Sequence, residues 1–501
     1  MRTFVRGTII VLLLVAGTFA FDVRPLAAER ASRQTTVRTS LAPTYAEIGD
    51  EAVRTLLRSY YTNDGYWRDC PEARCWIHNS DWGSDSLTNT LYLRWMTLHD
   101  AAIPPILATL ARTARRYAAP CHGRTCRLWS DVPLWDSVAA SREYAISHDP
   151  LALAKARAAF AAVEDSGVYD VGACPAIRYQ RPYGRGDRLK TLETDSNGVK
   201  AALLLFEETH EARYLRIAGS RYAAIRRYFL DPERALYSVY VFDDGRHCRR
   251  VPQRYFASVN GNMIWNGIAL FRLTGQPAYR DQAYATARAV ASDLSDPQGV
   301  FMDLQAENDL EEPLVEAMFE LATRENRAFA RRWLFTNASA AYSARKADGT
   351  YGRFFDGPPP AGTVTAWQTN GGLATEIAAA SLEPRARPVD AAWHDAIFVP
   401  HEISRAPATI RFEGSGFALI GTIGDVCCQP GHARIFVDGV ETMNRVGTWQ
   451  NKSVSGQRLP NSVLFALRWP RAGVHEVTIR PGIYDAKEGG DFLHADGYVV
   501  R

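Results

Sequence analysis

Carboxylates in two polar clusters are the side chains of this chain best suited to acid–base chemistry. The first cluster ends in Asp131, and the second contains Glu193 and Asp195. Hydrolysis of a glycosidic bond needs two carboxyl groups, because one protonates the leaving oxygen while the other attacks the anomeric carbon or activates water. The sequence therefore predicts that Asp131, Glu193 and Asp195 are candidate catalytic residues for this reaction.

Aromatic and amide side chains accompany these acids. Exposed aromatic rings suit sugar faces, although ordinary packing explains most Trp residues in a large protein. Ser, Asp and Asn also cap helices, which stabilises a helix by about 1 kcal/mol. Asp136 follows Asp131 on the same predicted helix, about 140° around its axis, which favours packing for Asp136. The predicted substrate-binding residues are Trp82, Trp129, Trp135, Asp136, Asn197, Tyr255, Asn260 and Asn262.

A repeated pattern predicts the elements that would position these residues. Residues 205–218 read Leu-Phe-x2-Thr-x4-Tyr-x3-Ala, and residues 270–283 repeat this pattern. A weaker copy lies upstream, where Ser147 and Ala156 match Thr209 and Ala218. Each copy predicts two helices joined by a short turn, and such a hairpin must stack on neighbours to bury its apolar face. Residues 43–380 hold five or six hairpins at this spacing, which predicts a closed (α/α)6 barrel.

The repeat also predicts where the polar clusters meet. Asp131, Glu193 and Ser258 occupy the same position in the three copies, each at the same interval before the Ser or Thr that ends the first helix. Equivalent helices of a hairpin barrel begin at the same end of the ring. The three positions, together with Asn260, should therefore surround one mouth of the barrel.

The C-terminal region has a different pattern. After Trp393 the apolar period changes from 3.6 to 2, which predicts six to eight short strands. Turn signals at Asp438-Gly439, Ala472-Gly473 and Asp496-Gly497 favour a β-sandwich or jelly roll. The chain is therefore expected to be multidomain, with an all-α barrel followed by an all-β sandwich. The predicted boundaries are 1–30 for an export signal, 43–380 for the barrel, 381–392 for a linker and 393–501 for the sandwich.

The N-terminus and the cysteines both predict an extracytoplasmic protein. Arg2 and Arg6 precede an apolar run at residues 8–21, which is typical of an export signal. This run is shorter than the roughly 20 apolar residues of a membrane span, and an uncleaved anchor is the alternative. The eight cysteines predict disulfides of an oxidising compartment, and hence a secreted or cell-surface protein. The expected pairs are Cys70–Cys75, Cys121–Cys126, Cys174–Cys248 and Cys427–Cys428.

Composition excludes some classes of partner. The net charge is +3 over 501 residues, with acids and bases interspersed, so no nucleic-acid footprint is predicted. The Cys-x4-Cys pairs lack His residues in ligand register, and neither a metal nor a cofactor is predicted. The expected partner is a polysaccharide or oligosaccharide, and the expected state is a monomer.

Between about residues 125 and 380 the chain resembles glycoside hydrolase family 76, whose known members are endo-acting α-1,6-mannanases on an (α/α)6 barrel. The C-terminal strands resemble accessory sandwiches of glycan-degrading enzymes, including carbohydrate-binding modules. The family resemblance rests on the helix–turn repeats, Asn197-Gly198, Asn260-Gly-Asn262, Asn308-Asp-Leu-Glu-Glu and residues 333–341 before Asp348-Gly349.

The family's hallmark is a pair of adjacent aspartates followed by aromatic residues. Residues 129–135 are the matching segment, and the resemblance implies that Asp131 is the general acid/base. The nucleophile position holds Ser130. A serine cannot replace a carboxylate as a glycosyl nucleophile without an activating base. The second carboxylate is then expected elsewhere, with Glu193 or Asp195 as the candidates.

The leading interpretation is a secreted glycoside hydrolase that acts on a polysaccharide, such as an α-mannan or related cell-wall glycan. A non-catalytic glycan-binding or cell-wall protein is an alternative, because Ser130 breaks the aspartate pair. A uronate-processing hydrolase or lyase is another. Its basis is a polar loop that could bind an acidic sugar, with Arg181, Arg185 and Arg188 near Tyr183.

Overall fold

A computed structural model gives the fold of the chain. Residues 42–501 belong to one unit. The structure describes residues 42–68, 70–71, 77–78, 82–113, 130–164, 172–178, 189–251, 255–302, 312–389, 393, 395–404, 406–423, 431–447, 459–483 and 495–501.

Twelve helices in these ranges form two concentric rings, with outer and inner helices alternating along the chain. Each inner helix packs against the next and the last packs against the first, so the inner ring is closed. This is the predicted (α/α)6 barrel. In chain order the helices are α1 (Tyr45–Tyr60), α2 (Trp82–Leu98), α3 (Ile103–Thr113), α4 (Val132–Ser147), α5 (Pro150–Glu164), α6 (Leu192–Thr209), α7 (Ala212–Tyr228), α8 (Ala257–Thr274), α9 (Pro277–Asp293), α10 (Glu312–Thr323), α11 (Ala328–Ser343) and α12 (Ala366–Leu382), of which the even-numbered ones are inner.

The repeated Ser and Thr residues explain why the hairpins recur. Thr209 donates a hydrogen bond to the Leu205 carbonyl at 2.6 Å and accepts one from the Glu211 N–H at 3.3 Å. Thr274 and Ser147 make the same two kinds of bond in their own copies. The next residue adopts a left-handed conformation in all three copies, which ends the helix. Side-chain chemistry therefore fixes where each inner helix stops and its outer partner begins.

Small residues allow the inner helices to pack closely. At Gly261 on α8, an added Cβ would lie 2.4 Å from the backbone nitrogen of Leu314 on α10. The repeated alanines Ala156, Ala218 and Ala283 are buried between the rings. Because the inner helices are enclosed on all sides, their polar residues must pair with one another around the axis or with the outer ring.

Short strands occupy loops between the helices, and six longer strands form the C-terminal unit. The six are antiparallel and hydrogen-bonded in the order β12-β11-β13-β10-β14-β9, which confirms an all-β region. The strands are β1 (Tyr61–Thr62), β2 (Tyr66–Arg68), β3 (Ile77–His78), β4 (Leu189–Thr191), β5 (Leu230–Asp231), β6 (Leu236–Tyr237), β7 (Tyr240–Asp243), β8 (Cys248–Arg250), β9 (Ile397–Ile403), β10 (Ala408–Ile423), β11 (Gly431–Val437), β12 (Val440–Gly447), β13 (Leu459–Ile483) and β14 (Ala495–Val500).

Only one of the three predicted turns is a turn. Asp438-Gly439 joins β11 to β12, with φ of 50° and 81°. Gly473 instead lies within β13, opposite Gly414 of β10, where the pairing register shifts. Gly497 lies within β14, also beside a register shift. The last two predicted turns were therefore wrong, because a glycine can mark a bulge inside a strand as well as a turn.

The six-stranded C-terminal sheet packs against the barrel. Phe354, in the segment before α12, contacts Phe465 of β13 with ring centroids 6.5 Å apart. The Trp393 indole N–H donates to the Asp356 carbonyl at 3.2 Å. The carboxyl group of Asp356 is fully buried here, beside that of Asp296. These contacts form the seam between the two parts of the molecule.

One predicted disulfide is confirmed. Cys174 is bonded to Cys248, with their Cα atoms 5.3 Å apart. Cys70 is also disulfide-bonded, but Cys75 lies outside the described residues, so that pairing stays a prediction. The other two predicted pairs, Cys121–Cys126 and Cys427–Cys428, lie outside them as well.

The predicted export signal, residues 1–30, lies outside the described residues. None of the helices in the described ranges combines the length and apolar character that a membrane crossing requires. α12 ends at Leu382 and β9 begins at Ile397. The predicted linker at 381–392 falls at this change of structure, and its bounds stay a prediction.

Candidate active site

The axial face of α4 carries Asp131 at its top. Asp131, Trp135, Val138 and Arg142 recur every three or four residues and share one face of the helix. The Arg142 guanidinium forms ion pairs with Glu312, at 3.6 Å, and Glu316 on α10. Because α10 lies across the ring from α4, this face points to the barrel axis. Asp131 therefore lies at the mouth, with Trp135 one turn below it.

The axial face of α6 carries Glu193 at its top. Glu193, Asn197 and Lys200 share this face by the same spacing. Lys200 Nζ lies 2.8 Å from a Glu316 oxygen and 3.1 Å from Asn262 Oδ1 on α8. Glu193 is half-buried, whereas Asn197 and Lys200 are buried below it. Glu193 therefore lies at the same mouth as Asp131.

A direct contact joins the two helix starts. The Ser130 hydroxyl, next to Asp131, lies 2.9 Å from the hydroxyl of Thr194, next to Glu193. Each acid is the sequence neighbour of one partner in this hydrogen bond, and consecutive Cα atoms are about 3.8 Å apart. Asp131 and Glu193 therefore flank the Ser130–Thr194 bond. The starts of α4 and α6 are therefore neighbours, whereas the catalytic roles of these two acids stay a prediction.

Below the mouth, polar side chains from all six inner helices join into a network around the axis, here called the axial network. Glu312 accepts a hydrogen bond from Ser86 of α2 at 3.4 Å. Asn370 of α12 donates to Ser86 at 2.6 Å. Asn262 of α8 donates to Asn197 of α6 at 3.0 Å. With Arg142, Lys200 and Glu316, these residues constitute the axial network.

The axial network lies deeper than Asp131. Thr323 ends α10 with the same hydroxyl-to-carbonyl bond that ends α6 and α8, at 2.7 Å, so these helix ends are equivalent. Glu312 is the first of the 12 residues of α10, whereas Asp131 precedes all 16 residues of α4. Measured back from the equivalent ends, Asp131 is farther by about five residues, or about 7 Å along a helix. The axial network is therefore the floor of a site whose mouth is formed by Asp131 and Glu193.

The two carboxyl groups of the axial network differ in their protonation. Burial alone would raise the pKa of Glu316, but Arg142 and Lys200 lower it to about 2. Burial raises the pKa of Glu312 to about 7, against the opposing effect of Arg142. One carboxylate is therefore held ionised between two cations, while its neighbour holds its proton near neutral pH.

Asp131 has the environment of an acid rather than of a helix cap. Its side chain makes no capping hydrogen bond to the first turn of α4. It is only 6% exposed, and Oδ1 has no hydrogen-bond partner among the described residues. Burial raises the pKa of Asp131 to about 6, although the N–H groups of Asp131 and Val132 limit the rise. A buried carboxyl group with a free oxygen and a raised pKa can donate a proton near neutral pH.

Two predicted acids face away from the axis. Both oxygens of Asp195 accept hydrogen bonds from Arg178, one from its backbone at 3.0 Å and one from its guanidinium at 2.7 Å. Arg178 also pairs with Glu164. Asp136 lies 4.0 Å from Lys155 of α5, as expected from its position around the helix. These contacts give Asp195 and Asp136 structural roles.

Two further predicted residues support the scaffold instead of the mouth. Asn260 pairs with both backbone groups of Tyr237 in β6, at 2.8 and 3.1 Å, and also bonds the Phe256 carbonyl. Both the oxygen and the nitrogen of the Asn260 amide are therefore hydrogen-bonded on the outer side of α8. The Tyr255 hydroxyl donates to Asp231 at 2.7 Å, and the ring is buried. The sequence placed both at the mouth because each precedes or opens α8, which does not reveal where a side chain points.

The remaining predicted residues divide into two groups. Trp135, Asn197 and Asn262 lie on the axial side, as predicted, and all three are buried. Trp129 lies outside the described residues, and Trp82 opens α2 with its side chain outside them.

Sequence patterns did not predict the charged half of the axial network. Arg142, Lys200 and Glu316 were not singled out, and Glu312 appeared only as the last residue of the Asn308-Asp-Leu-Glu-Glu motif. A signal exists for Lys200, because its neighbours on α6, residues 198–205, are otherwise all apolar or small. A charge in such a helix must be buried and paired.

Comparison with known proteins supports the fold. No family model matches the sequence, and no curated protein does. An inactive variant of an α-1,6-mannanase from Salegentibacter sp. HEL1_6, with two adjacent aspartates replaced and α-1,6-mannotriose bound, matches with a TM-score of 0.59 and 19% identity. The match covers 68% of this chain and 100% of that one.

Two further solved structures are similar. A family 76 glycoside hydrolase from a bovine Bacteroides thetaiotaomicron strain matches with a TM-score of 0.58 and 14% identity, over 68% of this chain and 78% of that one. An unsaturated glucuronyl hydrolase specific for heparin matches at 0.50 and 10% identity, over 70% and 99%. The barrel therefore has the fold of family 76 glycoside hydrolases.

Proposed function

We propose that the protein is a glycoside hydrolase that cleaves an α-mannan or a related cell-wall glycan, with Asp131 as the general acid. The observation that carries the proposal is the buried Asp131 carboxyl group, which has a raised pKa and an oxygen without a hydrogen-bond partner among the described residues. It lies where the family resemblance implies a catalytic aspartate. The similar solved α-1,6-mannanase supports mannan as the substrate class.

The site can perform the proton transfer that this reaction needs. Asp131 at the mouth can protonate the glycosidic oxygen as the bond to the anomeric carbon breaks. The Trp135 ring, one turn below, lies on the same face of α4 and is buried beneath the acid. The axial network below fixes the positions of the inner helices, so the acid is held rigidly.

A neutral sugar fits the described site better than a uronate. The axial cations Arg142 and Lys200 are both paired with Glu316. Arg178 is paired with Asp195. Each of these cations thus already has a protein carboxylate as its partner. The arginines on which the uronate alternative depends, Arg181, Arg185 and Arg188, lie outside the described residues.

Location outside the cytoplasm is part of the proposal. The N-terminal sequence has the pattern of an export signal. The Cys174–Cys248 disulfide supports an oxidising compartment, because structural disulfides are rare in the cytosol. A polysaccharide substrate, too large to enter a cell, is consistent with both.

The test is an activity screen with a matched pair of variants. Purified protein is incubated with yeast α-mannan, mycobacterial-type lipomannan, arabinan and a uronan, and new reducing ends or unsaturated products are measured. Cleavage of a mannan supports the proposal. Unsaturated products from the uronan would support the lyase alternative, and no cleavage of any polymer would favour a non-catalytic glycan-binding protein.

Asp131→Asn should lower kcat by about 10²- to 10⁴-fold, the usual contribution of a general acid. Asp149→Asn is the control, because Asp149 caps α5 through a 2.9 Å bond to the Leu151 N–H and lies on the outer ring. It should keep both its stability and its activity, because Asn caps a helix about as well as Asp. Full activity of Asp131→Asn on a mannan would contradict the assignment.

A further inference from the structure

Residues 172–178, here called the clasp, lie against the start of α6. The Arg178 backbone N–H donates to Asp195, in the first turn of α6, at 3.0 Å, and the Arg178 guanidinium donates to the same carboxylate at 2.7 Å. At Gly198, an added Cβ would lie 2.8 Å from the Arg178 guanidinium. The clasp therefore fits closely against the first two turns of α6.

The start of α6 is in contact with the start of α4. The Thr194 hydroxyl, next to Asp195, lies 2.9 Å from the Ser130 hydroxyl. Ser130 immediately precedes Asp131, the proposed general acid. Two hydrogen-bonded contacts, joined by one peptide bond in α6, therefore connect the clasp to the residue before the acid.

A disulfide fixes the clasp to a small sheet. Cys174 is bonded to Cys248 of β8, 74 residues later in the chain. Asp243 of β7 accepts hydrogen bonds from the N–H groups of Ala173 and Cys174, both at 3.0 Å. β4, β7 and β8 form one three-stranded sheet, and β4 runs directly into α6. The disulfide therefore joins the clasp to the sheet from which α6 begins.

The clasp backbone is shaped to a buried ion pair beneath it. Lys190 Nζ of β4 lies 3.0 Å from an Asp243 oxygen and donates to the Cys174 carbonyl at 2.7 Å, and both charged side chains are buried. Gly172 has a φ of 121°, and an added Cβ there would lie 2.4 Å from Asp243 Oδ2. The clasp therefore has one close-fitting position, and Cys174 lies only four residues from Arg178.

Resting on the proposed glycosidase function, we infer that Cys174 and Cys248 are positioning residues, whose disulfide holds the mouth in its active arrangement and makes activity depend on their redox state. An external dithiol reaches Cys248, which is half-buried, more easily than Cys174, which is fully buried. Its thiolate attacks the Cys248 sulfur, and its second thiol resolves the mixed disulfide. The dithiol gives two electrons and two protons, the Cys174–Cys248 bond breaks, and two cysteine thiols and an oxidised dithiol remain.

Reduction should loosen the mouth without unfolding the barrel. The clasp loses its covalent bond to β8, so the hold of Arg178 on the first turn of α6 becomes weaker. A displacement of about 1 Å in a site can lower a rate about 10²-fold. Reduction should therefore lower kcat by about 10- to 100-fold, with the inner helices still packed.

Hydrogen exchange measures this positioning without any substrate. After incubation with dithiothreitol, the amides of residues 192–198 should exchange faster, whereas those of residues 203–209, at the far end of the same helix, should not change. The double variant Cys174→Ser/Cys248→Ser should show the faster exchange with and without dithiothreitol, which separates this disulfide from that of Cys70. Equal exchange at the α6 start in the oxidised and reduced wild type would overturn the inference, whatever the protein cleaves.

Turnover of a mannan tests the link to catalysis. At a temperature at which circular dichroism shows both proteins folded, the double variant should have a kcat about 10- to 100-fold below that of the oxidised wild type. The wild type should lose the same activity on reduction and regain it on reoxidation. A lower unfolding temperature with an unchanged kcat would identify a purely stabilising disulfide and overturn the inference. No cleavage by the oxidised wild type would overturn the proposed function and the dependence of activity on redox state, and the exchange result would still decide whether the disulfide positions the mouth.

Discussion

At the scale of single residues, environment separates two carboxyl groups that look alike in the sequence. Asp131 and Asp195 both lie near the start of an inner helix and both are buried. Asp195 is enclosed by Arg178, while one oxygen of Asp131 has no hydrogen-bond partner among the described residues. The sequence could not separate them, because Arg178 lies in an irregular segment with no pattern that predicts its direction.

Activity should fall as pH rises through the pKa of Asp131, which burial raises to about 6. A general acid works only in its protonated form, so kcat/KM should decrease about tenfold per pH unit above this pKa. A pH series on the wild type measures this limb. The Asp149→Asn control should reproduce it, and a rate that stays constant from about pH 6 to pH 8 would contradict the role of Asp131 as acid.

Removing the partner of Asp195 should destabilise the fold strongly. Arg178→Met leaves a fully buried carboxylate without its cation, which typically costs about 3–5 kcal/mol. Urea unfolding gives the free energy. Arg213→Met is the comparison, because its pair with Glu211 is exposed and should be worth less than about 1 kcal/mol. Similar losses in the two variants would show that Asp195 is not held as described.

At the scale of elements, the repeat predicted the inner helices closely because one side chain does the same work in each copy. Ser147, Thr209 and Thr274 end α4, α6 and α8, so counting back from them located the mouth. The directions of side chains within the mouth were predicted less well. Asn260 turned to β6, a two-residue strand that has no period in the sequence. Short strands and ion pairs between distant segments depend on tertiary contacts that no local pattern records.

Thr274→Val should remove both hairpin bonds and cost about 1 kcal/mol of unfolding free energy. Thr274→Ser is the control, because Ser147 makes the same bonds in the first copy. The serine variant should remain within about 0.5 kcal/mol of wild type. A loss in Thr274→Ser without a loss in Thr274→Val would mean that the methyl group, not the hydroxyl, matters. Urea unfolding checks the order.

At the scale of the whole molecule, buried carboxyl groups lie at the seam between barrel and sheet. Asp356, before α12, and Asp296, after α9, lie side by side. Arg468 of β13 faces both, and Arg501 at the C-terminus lies near Arg468. Burial, followed by the charge of Asp296, raises the pKa of Asp356 well above its usual range. The two parts of the protein therefore meet at a buried carboxyl group, Asp356, that keeps its proton well above the usual pH range of an aspartate.

Asp356→Asn should make stability less dependent on pH. A carboxyl group whose pKa is raised by folding stabilises the protein fully below its unfolded pKa of about 4, and this contribution falls as pH rises towards the folded pKa. The variant should therefore gain stability relative to wild type as pH increases from about 4 to 8. Thermal unfolding at several pH values measures the difference. Asp281→Asn, on the exposed surface of α9, should show no such trend.

The axial network limits how a substrate can enter and leave the ring. Side chains from all six inner helices bond across the axis below the mouth. Among the described residues, the ring is therefore closed below the mouth and no tunnel runs along its axis. On the proposed glycosidase function, a polymer is not threaded through the barrel, and both products of a cut leave by the end through which the chain arrived. A long glycan then lies across the rim, and release of the piece seated deepest competes with arrival of the next chain.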